Sequence, residues 1–196
     1  MTREITFMEA AMEALAEEMR RDEKVFHMST DAPFPLVEEF GESRVRATPI
    51  AESALTGMAI GAASSGFRPI VDWRQVTFAF VAMDQIVNQA AKIHYMFGGQ
   101  AKFPIMYRAS VGGGGRVAAQ HSQSPYSMFM NMAGLKITLA SSPYDVKGLI
   151  KSAIRDNNPV ICFESNRLFG MKGPVPEEDY TIPIGEAEVK REGSDI

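Results

Sequence analysis

Residues 137–163 read ITLASSPYDVKGLIKSAIRDNNPVICF. Both ends of this stretch, Ile137–Ala140 and Val160–Phe163, are apolar runs too short for a helix, and they read as buried strands. Between them Tyr144–Arg155 has helix character: Ser141 and Ser142 offer a cap, and Pro143 is tolerated in a first turn. The same alternation recurs upstream. Val25–Met28, Pro69–Val71 and Ile105–Tyr107 are further short apolar runs, and Glu52–Ser65 and Met83–Met96 are helical in character. Between Thr6 and Arg21 the residues Phe7, Ala10, Ala11, Ala14, Leu15 and Met19 recur at helical spacing with charges between them, predicting an amphipathic helix. Strand, helix, strand in repetition implies a parallel sheet with helices on both faces, a three-layer α/β domain over residues 1–175. After Gly173 the texture changes: Pro174, Pro176 and Pro183 among acidic residues predict an extended linker over 176–196.

The bulk composition bounds the function. With 196 residues and 45% hydrophobic content the chain can bury a sizeable core. Its net charge of -4 gives no general electrostatic reason to expect nucleic acid. No stretch reaches the length of a membrane span and the start lacks the order of a secretory signal, so the cytoplasm is the expected address. The single cysteine, Cys162, lies in an apolar run and reads as a buried structural thiol. Thirteen methionines are scattered along the chain as flexible core filling.

Three stretches exceed what a generic core requires. Ala47-Thr48-Pro49-Ile50-Ala51-Glu52-Ser53 brings a carboxylate to an apolar helix start; Pro49 biases Thr48 toward an extended conformation and the chain turns sharply there. Glu52 reads either as a helix N-terminal acid favoured by the dipole or as a ligand-facing group at a strand's end. Trp73–Phe80 places aromatic rings after a strand, where they serve as core or stack on a flat heterocycle. Gly112–Gly115 fits either close approach of a ligand or a mobile loop, and His121 follows it.

In this order and spacing the segments resemble the pyrimidine-binding domain of transketolase-like thiamine-diphosphate enzymes, specifically the beta subunits of 2-oxo acid and acetoin dehydrogenases. The resemblance covers nearly the whole chain. It is carried by Thr48–Glu52, Gly66–Pro69, Met83–Ile86, Ala90–Lys92 with Tyr95–Gly99, Gln120–Ser122, Pro143–Leu149 and Ala153–Val160. The Tyr95–Gly99 and Ser141–Asp145 phrases look closest to the acetoin type.

The resemblance implies roles. Glu52 matches the glutamate that hydrogen-bonds the aminopyrimidine and promotes its imino tautomer, a task that suits a partly buried carboxyl group. Phe78 matches the residue that stacks on the pyrimidine, Ile50 lines the cofactor pocket, and Arg74 joins the cofactor-binding set. His121 matches a histidine at the active-site mouth that orients substrate or assists acyl transfer to a lipoyl arm. The backbone carbonyls of Ile105, Ala153, Ile154, Asp156 and Asn158 match a structural monovalent cation site, commonly potassium, although Asp156–Pro159 reads equally as a turn before a strand.

The implied cofactor is thiamine diphosphate shared with an alpha subunit, which holds the diphosphate and Mg2+, because no diphosphate motif occurs in this chain. The implied assembly is an α2β2 heterotetramer working with a lipoyl acyltransferase core on a small-molecule substrate. Glu52–Ala63 and Trp73–Phe80 are the expected surfaces for the partner. Two departures stand out. Ser29-Thr30-Asp31 and a short passage through Pro33 and Pro35 replace the family's glycine, two acids and long loop, and the family's carboxyl-terminal domain is absent, which suits a fragment or a shortened subunit. Two rival readings are a transketolase-like or decarboxylase half-enzyme without lipoyl transfer, and a non-catalytic assembly subunit.

Overall fold

A computed structural model describes residues 2–112, 117–189 and 191–194. Six parallel strands form the central sheet: β2 (Val25–Ser29), β3 (Val45–Ala47), β4 (Arg68–Gln75), β5 (Met106–Val111), β6 (Lys136–Leu139) and β7 (Val160–Ser165), in the order β3-β2-β4-β5-β7-β6. A separate antiparallel ribbon pairs β1 (Thr2–Thr6) with β8 (Lys172–Pro176). The ribbon tolerates Pro174 and Pro176 because a strand edge can lack donors. Those prolines, and the polar brevity of residues 2–6, are why the sequence suggested only an extended tail there.

One face of the sheet is covered by α1 (Phe7–Arg21) and α6 (Pro143–Arg155). Thr6 caps α1 through a capping box with Glu9, and Ser142 caps α6 by accepting from the Asp145 amide at 3.1 Å. The two helices are joined by fully buried lysines: Lys147 meets Glu13 at 2.5 Å and Lys151 meets Glu17 at 2.6 Å. Residues 177–184, which the sequence assigns to the linker, lie against α6, where Tyr180 stacks on Tyr144 at 4.6 Å and the Ser152 hydroxyl donates to the Ile182 carbonyl at 2.5 Å.

The other face is covered by α3 (Glu52–Ser64) and the 3₁₀ segment Val76–Ala82. The helix expected over Met83–Met96 is a π turn at Gln85–Ala90 followed by α4 (Ala91–Met96). Gly134 presses on this junction so closely that a Cβ there would lie 1.8 Å from the Ala91 carbonyl oxygen. Two short helices, α2 (Phe34–Phe40) and α5 (Tyr126–Met130), complete the chain and were not legible in its pattern.

The expectation that Trp73 meets a partner is corrected. Trp73 is only 2% exposed, stacks on Tyr107 at 4.7 Å and donates its indole N–H to the Thr56 hydroxyl at 3.0 Å. It belongs to the core. No helix among the described residues is long and apolar enough to cross a membrane.

Candidate functional site

The carboxyl ends of parallel strands converge on one edge of the molecule, where open α/β sheets bind ligands. β2 is tied to the loop after β3 there, because the Thr48 amide donates to the Ser29 carbonyl at 2.8 Å and the Thr48 hydroxyl at 3.1 Å. That anchor fixes the turn through Pro49 and opens α3 at Glu52. Ile50, in the turn itself, is 81% exposed. Glu52 is 7% exposed, yet no described residue hydrogen-bonds its carboxylate, so a largely sequestered acceptor is left free.

The start of α3 is pinned to the 3₁₀ segment after β4 by the Ser53 hydroxyl, which donates to the Val81 carbonyl at 2.6 Å. The same segment carries Phe78. The Phe78 ring meets the His121 ring edge-on, with centroids 5.1 Å apart and planes at 70°. A hydrogen bond from the Thr77 hydroxyl to the Gln120 carbonyl holds the two loops together. His121 Nδ1 is buried without a partner among the described residues. Glu52 opens α3, Phe78 lies in the 3₁₀ segment and His121 in the loop after β5, and the Ser53 and Thr77 hydrogen bonds link these three segments. The glycine run before His121 is described only at Gly112; residues 113–116 lie outside the described residues.

Arg74 lies at the carboxyl end of β4. Its backbone is left-handed, φ 66°, at a register shift between Asp72 and Gln75, its Nε lies 3.3 Å from Asp31 Oδ1, and the residue borders a cavity of about 340 Å³ with Asp72, Arg108 and Glu164. None of Glu52, Phe78 or His121 lines that cavity. Beneath it lies a charge cluster that the sequence analysis missed. Arg108 donates to both Glu164 oxygens at 2.5 and 2.8 Å and to Asp72 Oδ2 at 3.3 Å, all within the buried sheet. Burial opposes the Arg108 charge, but Glu164 and then Asp72 outweigh it and hold the guanidinium above its ordinary range. His27 Nε2 lies 3.9 Å from Asp72 Oδ2 and neither ring nitrogen has a hydrogen-bond partner among the described residues. Burial, first of all, pushes its imidazole down to about 4, with Asp72 opposing and Arg108 assisting. The signal available in the sequence was the entry of Asp72, Arg108 and Glu164 into otherwise apolar strand runs.

The five carbonyl positions read as a cation site lie at the opposite, amino-terminal edge. Two of them already serve Arg68, whose Nη1 donates to the carbonyls of Ile154 at 2.9 Å and Asp156 at 3.0 Å. The Ile105 carbonyl accepts from the Val160 amide at 2.9 Å. Asp156 Oδ1 accepts from the Asn158 amide at 2.8 Å and the Asn158 side chain at 2.9 Å, closing the turn, and no interaction engages the Ala153 or Asn158 carbonyl through a side chain among the described residues.

The family model of the transketolase pyrimidine-binding domain matches residues 3–171. Among curated proteins, the beta subunit of acetoin:2,6-dichlorophenolindophenol oxidoreductase from Bacillus subtilis is 44% identical over 100% of this chain and 64% of its own length. The 2-oxoisovalerate dehydrogenase subunit beta of the same organism is 46% identical, and the pyruvate dehydrogenase E1 component subunit beta of Rickettsia felis 47%, each over 98% of this chain and 62% of the relative. The chain thus spans less than two thirds of the length of these relatives. Among solved structures, a split-gene transketolase described as an inactive beta4 tetramer superposes with a TM-score of 0.67 at 20% identity, covering 85% of this chain and 52% of that one. A transketolase from Leishmania mexicana gives 0.67 at 18% identity, covering 83% and 25%. These two likenesses speak to the fold alone.

Proposed function

The chain belongs to the transketolase pyrimidine-binding domain family, and from that membership we propose that it is the cofactor-activating part of a thiamine-diphosphate-dependent 2-oxo acid or acetoin dehydrogenase beta subunit. The observation that carries the proposal is the free, largely buried carboxylate of Glu52 on a helix pinned to the Phe78 segment. A sequestered acceptor on a helix tied to a segment that carries an aromatic ring suits an aminopyrimidine, which offers a ring nitrogen, an amine and a π surface. Glu52 would hold the ring and share a proton with its nitrogen, Phe78 would supply the stacking face, and Ile50 would line the rim. His121, its edge against Phe78, would stand at the mouth and orient substrate. When bound, thiamine diphosphate supplies the carbanion chemistry, and the protein supplies orientation and electrostatics.

The chain has no glycine-aspartate-glycine run to grip a diphosphate. We assign that task, with Mg2+, to an alpha subunit in an α2β2 heterotetramer that delivers acyl groups to a lipoyl acyltransferase core. The carbonyls of Ile105, Ala153, Ile154, Asp156 and Asn158 are the proposed seat of a potassium ion. Such an ion would share the Ile154 and Asp156 oxygens with Arg68 through their second lone pairs.

Calorimetric titration tests the proposal. The chain alone, with Mg2+ and thiamine diphosphate, is expected to show no submicromolar binding, because phosphates supply the strong charge-assisted contacts. With the alpha subunit added, tight binding is expected, weakened by roughly 1–3 kcal/mol in Phe78→Ala. Submicromolar binding by the chain alone, or unchanged affinity in Phe78→Ala, would overturn it.

A further inference from the structure

The first turn of α3 has few fixed points. Besides Glu52, the buried face of the helix consists of Leu55, Thr56, Ala59 and Ala63, and side chains this small give a facing sheet little to set rotation or depth against. Ala51 stands at the N-cap and has no side chain that could bond a free amide, so no cap holds the turn either. Two directional bonds do hold it. The Ser53 hydroxyl donates to the Val81 carbonyl at 2.6 Å on the exposed side, and the Thr56 hydroxyl accepts from the Trp73 indole N–H at 3.0 Å inside the core.

Thr56 follows Glu52 by four residues, one helical turn along the same face, so a bond that fixes the one sets the height of the other. No described residue hydrogen-bonds the Glu52 carboxylate, and its place is therefore inherited from the helix backbone. The donor at the other end of the bond is itself anchored. Trp73 is buried in β4, and its ring stacks on Tyr107 of β5 with planes at 11°. An indole carries one polar hydrogen and no acceptor, and that hydrogen is committed to Thr56. A large apolar ring at position 73 would fill the space equally well; only the N–H adds direction.

From this geometry we infer that Trp73 is a positioning residue: through Thr56 it sets the depth and rotation of the first turn of α3, and thereby the place of the Glu52 carboxylate. The inference rests on the reading of Glu52 as the group that holds the aminopyrimidine, and it extends that reading to a residue of the core. Proton sharing between Glu52 and a ring nitrogen requires hydrogen-bond reach, so a small displacement of the turn acts on the chemical step.

The test has one arm without cofactor and one with it. In the 15N-labelled 196-residue chain Trp73 is the only tryptophan, and its indole N–H gives a single signal. Thr56→Val keeps the shape and removes the acceptor, and is expected to move that signal upfield, while Thr56→Ser leaves it in place. Residual dipolar couplings of amides 53–56 against those of 61–64 read the orientation of the first turn within the helix. They are expected to change in Thr56→Val and Trp73→Phe and to stay native in Thr56→Ser. In the enzyme assembled with its alpha subunit, Mg2+ and thiamine diphosphate, Thr56→Val and Trp73→Phe are expected to lower kcat about tenfold or more at unchanged KM. Thr56→Ser should stay within about twofold of native, and in a Glu52→Gln background either substitution should add less than about a further twofold. A first turn that keeps its orientation in both variants would overturn the inference. So would native kcat from both in an enzyme that Glu52→Gln impairs, or a full additional loss in the Glu52→Gln background. Native kcat in Glu52→Gln alone would instead overturn the reading of Glu52 on which the inference stands.

Discussion

Replacing Arg108 by methionine removes the one cation between two buried carboxylates while keeping most of the side chain's apolar length. Asp72, Arg108 and Glu164 are each no more than 5% exposed, and Arg108 makes three hydrogen bonds to the two acids. Breaking a buried pair from one side costs about 3–5 kcal/mol, since the remaining charge is left uncompensated. At about 2–4 °C per kcal/mol for a chain of this size, the melting temperature at pH 8 should fall by about 6–20 °C. The sign with pH follows from linkage. Carboxylates buried without a counter-charge bind protons more readily folded than unfolded, so the penalty is complete well above pH 4 or so and shrinks as pH falls toward it. Circular-dichroism melts of both proteins at pH 8 and pH 4.5 check this, and the gap should be clearly smaller at the lower pH. Adding Glu164→Met and Asp72→Asn to Arg108→Met should recover most of the loss. A fall of less than about 2 °C at pH 8, or a gap independent of pH, would refute the reasoning.

Three further outcomes are expected. Because burial holds the His27 imidazole down at about 4, the unfolded chain, titrating near 6.5, binds the proton first; stability should decline as pH falls from about 6.5 toward 4, by about 2–3 kcal/mol. His27→Leu should flatten that decline in denaturant midpoints measured from pH 7 to 4.5, and an unchanged slope would count against it. Gly134→Ala should cost about 2–4 kcal/mol in urea unfolding, since its Cβ would strike the Ala91 carbonyl and its φ is +99°; a neutral result would mean the loop does not press on α4. Thr77→Val should abolish the NMR cross-peaks between the Phe78 and His121 rings while Thr77→Ser retains them, because only the hydroxyl reaches the Gln120 carbonyl; equal spectra would show that the two rings need no such tether.

The sheet was legible because its strands announce themselves as apolar runs, yet three of them were read short at the same end. β4, β5 and β7 continue past Val71, Tyr107 and Phe163 through Asp72, Arg108 and Glu164, whose side chains find one another across the sheet rather than apolar neighbours. A one-dimensional pattern shows the charges entering the apolar runs but not that one arginine and two acids from separate segments will pair. The ribbon of β1 and β8 was hidden for a related reason, as its pairing joins the two ends of the domain and depends on no local signal. At the candidate site, Glu52, Phe78 and His121 stand out in sequence, and the segments that carry them are tied together in space by Ser53 and Thr77. Those tethers, a serine and a threonine bonding to backbone carbonyls, were invisible beforehand because nothing in their type distinguishes them from solvated hydroxyls. The left-handed turn at Arg74 was equally hidden, since it depends on Asp72 and on Ser110 from the next strand.

The most direct measurement of the cofactor-activating role is the turnover of Glu52→Gln assembled with its alpha subunit and supplied with Mg2+ and thiamine diphosphate. Glutamine keeps the shape and removes the exchangeable proton, so the fold and melting temperature should hold while turnover drops by about two orders of magnitude or more. Native turnover from a folded, assembled Glu52→Gln protein would contradict the assignment of Glu52 to the aminopyrimidine.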